Sequence, residues 1–119
     1  MEKMFNGALA FNQNIGSCQT TKVKNMSEMF RNASSFNQDI TSWNVPLVTT
    51  MTYMFSGASK FSQNLKTWNP KTIINKNDVD ALGRMFDNSG VSCSVVKDIK
   101  KAWGLSFNSG FMKSGCSDL

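Results

Sequence analysis

Residues 26–43 read MSEMFRNASSFNQDITSW, and most of that stretch recurs both upstream and downstream. Met1, Met26 and Met51 share one position, and Met4, Met29 and Met54 share the next such position, at intervals of 25 residues. The same frame relates Phe5, Phe30 and Phe55, then Ala8, Ala33 and Ala58, then Phe11, Phe36 and Phe61. It continues through Gln13, Gln38 and Gln63; Ile15, Ile40 and Leu65; Cys18, Trp43 and Trp68; and Val23 with Val48. So many matches in one frame mark an internal repeat, and the fold is read unit by unit.

Within the unit, Val23, Met26, Met29, Phe30 and Ala33 fall at spacings of three and four, the apolar stripe of a short amphipathic helix. Ser34 and Ser35 break it, after which Phe36, Gln38 and Ile40 alternate with Asn37, Asp39 and Thr41 in the period of a strand. One such unit cannot bury its apolar face alone. Stacked units place Met on Met, Phe on Phe and Trp on Trp. The expected fold is therefore an α/β repeat solenoid, leucine-rich-repeat-like, with about 25 residues per helix–strand turn and a narrow parallel sheet.

The third unit carries six extra residues before the next stripe, Val79, Leu82, Met85 and Phe86. Residues 69–78 are accordingly expected to project as a longer loop, with Asp78 and Asp80 suited to a helix N-terminus. Beyond Phe86 the frame dissolves. Val95, Val96, Ile99, Ala102 and Trp103 form a new helical stripe, with Ser94 as N-cap and Gly104 as its stop. The domain reading is three to four repeats over 1–90, then a C-terminal capping helix and a frayed tail over 91–119. At the other end Met1 falls on a repeat position with no cap before it. That arrangement leaves an apolar end, which earlier repeats or a protein partner would cover.

Composition excludes several chemistries. There is no histidine, which removes Ser-His-Asp and Cys-His catalysis and His-ligated zinc or haem. Thirteen basic against eight acidic residues give a net charge of +5, spread along the chain and densest at Lys97, Lys100 and Lys101. With no aromatic-interleaved basic motif, a solvated basic face is favoured over nucleic-acid binding. No apolar run is long enough to span a membrane. Phosphate-cradling and paired-carboxylate patterns are absent too, so no enzyme, cofactor or metal is expected.

Cys18 stands at a tryptophan position, where a buried free thiol is expected. Cys93 and Cys116 flank the C-terminal stripe and could pair in an oxidising compartment. Candidate partner-binding residues are Asn14, Asp39 and Asn64 between the strand positions, Lys71 and Lys76 in the long connection, and Met1, Met4 and Phe5 at the uncapped end. The Asn rows could equally bond along the stack.

The unit M-x-x-M-F-x-x-A-x-x-F-N-Q-x-I-x-x-W-x-x-x-x-V-x-x resembles the BspA-like surface-protein repeat, a leucine-rich-repeat relative also known as the bacterial surface protein 26-residue repeat and found in mycoplasma lipoproteins. The resemblance covers roughly residues 1 to 86. It implies a leucine-rich-repeat solenoid at a cell surface with adhesive or protein-binding roles, and it brings no catalytic residues. Cys18, the long third connection and the lack of a lipoprotein signal depart from it. The leading expectation is a non-enzymatic protein-contact module outside a cell or on its envelope. The alternative is a scaffold or linker subunit docked within a larger, membrane-associated or organellar assembly. A basic binder of nucleic acid or anionic lipid comes third.

Overall fold

The computed structural model describes residues 1–117. The repeats stack as coils, but their backbone is neither the helix nor the strand that the side-chain pattern suggested. Among the described residues there is no strand, only an isolated parallel bridge between Asn25 and Thr50. The expectation of a leucine-rich-repeat-like α/β solenoid with a parallel sheet is therefore corrected.

The first half of each unit is a run of overlapping turns. Met29 N donates to Met26 O, Arg31 N to Glu28 O, Ala33 N to Phe30 O and Phe36 N to Ala33 O, at 3.0–3.3 Å. Each bond spans three residues, as in a β-turn, and not the four of an α-helix. Left-handed residues recur at fixed places in the unit. Lys3, Glu28, Tyr53 and Arg84 have φ of 53 to 56°, while Gly7, Asn32, Gly57 and Asn88 have φ of 55 to 77°. A residue in this region cannot continue a right-handed helix. The apolar stripe is real, because Met26, Met29, Phe30 and Ala33 are all buried, but a chain of turns presents it.

Turns consume only alternate amides. The others leave the coil and bond its successor: Met26 N to Thr50 O, Glu28 N to Thr52 O, Phe30 N to Met54 O and Asn32 N to Ser56 O, at 2.7–3.0 Å. The pattern repeats from Met51, Tyr53, Phe55 and Gly57 to Ala81, Gly83, Met85 and Asp87. The second half of the unit has no sheet because side chains take the backbone groups a sheet would pair. Asn37 N donates to Asn12 Oδ1 and Ser62 N to Asn37 Oδ1, each at 3.0 Å. Gln38 Nε2 reaches Asn12 O at 3.1 Å and Oδ1 at 3.0 Å, and Gln63 repeats the contact on Asn37.

Aromatic columns fill the core. Phe5, Phe30, Phe55 and Phe86 stack with centroids 5.4, 5.5 and 5.8 Å apart. Phe11, Phe36 and Phe61 form a second column at 5.7 and 5.8 Å, and Trp43 lies 6.1 Å from Trp68. Both tryptophans of this pair donate Nε1 to the preceding coil, Trp43 to Ile15 O at 3.0 Å and Trp68 to Ile40 O at 2.9 Å.

The long connection contains a helix, α1 (Lys71–Lys76), ended by Asn77 at φ 46° and anchored through buried Ile73, where a longer loop was expected. The stripe from Val79 to Phe86 is a 3-10 turn, Asp80–Leu82, running into further turns. Helix α2 spans Cys93–Ala102 and is capped by Ser92, not Ser94; the Ser92 side chain accepts from Val95 N at 3.2 Å. It packs through Val96 and Ile99 against the turn at Leu65–Thr67.

The sequence frame ends at Phe86, but the stacking continues past it. Arg84 N and Phe86 N donate to Phe111 O and Met112 O, so the last segment takes up the amides of the fourth coil. Nor is that segment frayed. Ser114 N and Oγ donate to the Asp87 carboxylate at 2.6 and 3.0 Å, and a disulfide joins Cys116 to Cys93. The last two residues of the tail, 118 and 119, lie outside the described ones.

Candidate interaction face

The two ends of the stack differ. At the C-terminal end α2 and residues 109–116 cover the last coil. At the N-terminal end the inner side of the first coil is uncovered. Met29, Phe30, Ala33, Phe36 and Ile40 are fully buried, whereas their first-coil counterparts Phe5, Ala8, Phe11 and Ile15 are only half-buried and Met4 is 59% exposed. Leu9 is 63% exposed on the first coil, and Ser34, half-buried, and Ser59, exposed, stand at its position in the following coils. Phe5 stacks on Phe11 at 4.1 Å, and Met1, Phe5, Phe11 and Ile15 pack against the core from this end. The repeat frame supplied the signal for Phe11 and Ile15. Leu9 breaks the frame, so periodicity missed it.

Polar groups edge the same face. Among the described residues, no amide donates to Glu2 O, Met4 O or Asn6 O. Their counterparts Ser27 O, Met29 O and Arg31 O accept from Lys3, Phe5 and Gly7 at 2.8–3.1 Å. The Asn12 N–H and the Gln13 amide nitrogen likewise have no partner among the described residues, although Asn37 and Gln38 use theirs on the coil before. Beside the face, Glu28 pairs with Arg31 at 2.8 Å and with Lys3 at 3.7 Å. The Arg31 hydrogen bond is the main reason its carboxyl sits below the usual range, with the Lys3 charge adding to it.

The other candidate residues lie elsewhere. Asn14, Asp39 and Asn64 form a repeat row in which each side chain closes its own turn, accepting from Gly16 N at 3.0 Å, Thr41 N at 2.9 Å and Lys66 N at 3.1 Å. The Thr41 hydroxyl, 2.6 Å from Asp39, is the main cause of that carboxyl's lowered pKa. These contacts run within each unit, not along the stack. Lys71 and Lys76 are exposed at the two ends of α1. Cys18, expected as a buried thiol, is exposed on the first coil. Lys97, Lys100, Lys101 and Leu105 line a shallow depression along α2.

Among the described residues no group of three or more His, Cys, Asp or Glu is placed to hold a metal, and no helix is long and apolar enough to cross a membrane.

The family model described as Mycoplasma protein of unknown function, DUF285, matches residues 1–103, and the chain belongs to that family. This overturns the assignment to the BspA-like leucine-rich-repeat family that the repeat unit resembles. No curated protein and no solved structure matches the chain.

Proposed function

We propose that this DUF285 member is a non-catalytic repeat module whose N-terminal coil face is a protein-contact surface. The observation that carries the reading is the uncovered first coil. Met4 stands 59% exposed at one end of a stack whose equivalent internal positions, Met29 and Met54, are fully buried. Contiguous apolar surface of this kind is a feature of contact sites. A rigid column of stacked rings suits presentation over catalysis, since the stack holds the face in one shape whether or not it is occupied. The proposed address is the cell envelope or its exterior. The Cys93–Cys116 disulfide supports it, because such bonds persist in oxidising compartments.

Photo-crosslinking in the cell that makes the protein tests the reading. A benzophenone side chain placed at Met4 or Leu9 should give a discrete adduct, while the same group at exposed Lys60 or Asn88 should not. Equal labelling at all four positions, or none at Met4 and Leu9, removes the first-coil face as the contact surface.

A further inference from the structure

Lysines that are spread along the sequence are gathered by the fold at its closed end. Helix α2 packs through Val96 and Ile99 against Leu65–Thr67, which turns Lys97 and Lys101 away from the stack and sets the helix beside exposed Lys66. Helix α1, with exposed Lys71 and Lys76, is tied to the same end. Its C-cap Asn77 exchanges two hydrogen bonds with Ser106, of 2.8 and 3.3 Å, just past the end of α2. Lys97, Lys100 and Lys101 line the shallow depression there with Leu105.

Among the described residues, Lys66, Lys71, Lys76, Lys97 and Lys101 make no ion pair; the three ion pairs present involve Glu28 and Asp87. The acidic groups of these elements are Asp98 on α2 and Asp78 and Asp80 after α1, and Asp78 accepts from Ala81 N at 3.3 Å. Cations near a helix C-terminus steady the helix, which accounts for Lys100 and Lys101. That does not account for Lys97, a turn further in, or for Lys66 and Lys71 on other elements. Bringing like charges together opposes folding, and an anionic surface that met them would relieve the repulsion.

We propose that this basic end docks reversibly on an anionic lipid surface. The lysines stand on three separate elements around a shallow depression, an arrangement that fits an extended plane of charge better than one small anion. Nucleic acid held by such a face would also need rings on which bases stack, and Trp103, at the end of α2, is buried. An acidic peptide would need an apolar anchor point, but Leu105 is only 7% exposed. Lysines near an anionic leaflet each add about fivefold to binding, and the attraction fades within a Debye length. The docking is therefore salt-sensitive. It uses the opposite end of the stack from the first coil and does not depend on the contact reading above.

Co-sedimentation of the full chain with vesicles tests the proposal. Vesicles of equal parts phosphatidylcholine and phosphatidylglycerol should carry the protein down, vesicles of phosphatidylcholine alone should not, and about 0.5 M salt should abolish the difference. Lys97→Gln combined with Lys101→Gln should weaken binding about twentyfold, at about fivefold per lysine. The same pair changed to arginine keeps the charge and should keep the binding. Lys22→Gln with Lys24→Gln removes two exposed charges elsewhere on the chain and should leave binding within about twofold. No preference for the anionic vesicles overturns the proposal, and so does loss of binding in the arginine pair. Equal weakening by the Lys22 and Lys24 pair would make the attraction one of net charge and overturn it as well. Tighter binding to duplex DNA or to polyglutamate, lost in the Lys97 and Lys101 glutamine pair, would assign the face to a dissolved polyanion and remove the lipid.

Discussion

Phe5 and Phe55 hold the same place in their coils and meet different surroundings. Phe55 lies between Phe30 and Phe86 and against Phe61, 4.0 Å away, and is fully buried. Phe5 stacks on Phe30 and Phe11 and leaves its other side open. In a stack, a residue's worth depends on how many neighbouring units it touches, so identical residues at the interior and at the end differ in energy without differing in local structure.

The largest expected effect separates these two. Phe55→Ala should cost about 3–5 kcal/mol of unfolding free energy in urea, as buried aromatic truncations do. Phe5→Ala should cost less, since part of its surface is already wet. Equal costs would mean that the ends are not distinct.

At the closed end, replacing Cys93 and Cys116 together with serine opens a cross-link of sequence separation 23. The loss should be about 3 kcal/mol. Amide exchange should quicken through residues 104–117 and stay unchanged in the first coil. Spread of the effect to residues 1–15 would show that the two ends are coupled.

Glycine gives a third contrast. Gly7 and Gly57 both have positive φ, but a Cβ on Gly57 would run into the Asn32 side chain of the previous coil, whereas nothing lies near Gly7. Alanine at Gly7 should cost about 1 kcal/mol for the left-handed backbone alone, and at Gly57 roughly 1 kcal/mol more. Thermal melts of the two variants decide it.

Removing a single rung should matter less. Asn37→Ala leaves Ser62 N without its acceptor and Gln63 with only the backbone carbonyl of residue 37, and should cost about 1 kcal/mol; Asn12→Ala, at the wet end, should cost less.

The smallest expected effect is one of pH. Lys113 donates to Ser89 O and Val91 O under the cap, and its burial there lowers its pKa below 10.5 despite the opposing pull of Asp87. Between the folded value and 10.5 the unfolded chain binds more protons, so this residue's contribution to stability rises as pH rises through that interval. Lys113→Met should flatten the rise in a plot of urea midpoint against pH. An unchanged slope would assign it to other groups.

Much of this was legible in residues 1–68. The columns of Met, Phe and Trp follow from the 25-residue frame, because equivalent residues in a stack sit above one another whatever the backbone does between them. The open first coil was legible for the same reason, as Met1 and Met4 fall on core positions. The backbone was not legible. Spacings of three and four suit an α-helix and equally suit turns broken by left-handed residues such as Glu28 and Tyr53, neither of which announces that conformation in sequence. Alternation at Phe36, Gln38 and Ile40 likewise suits a strand or a segment whose amides go to asparagine side chains.

By itself, then, the sequence determined the repeat, its core residues and the absence of histidine chemistry. The tertiary structure decided the conformation, the helix in the long connection, the seat of the last segment on the fourth coil and the exposure of Cys18 and Leu9. The physical reason is that local preference leaves turns and helix close in energy. The bonds that choose between them, such as Phe30 N to Met54 O, form only when the next coil is in place.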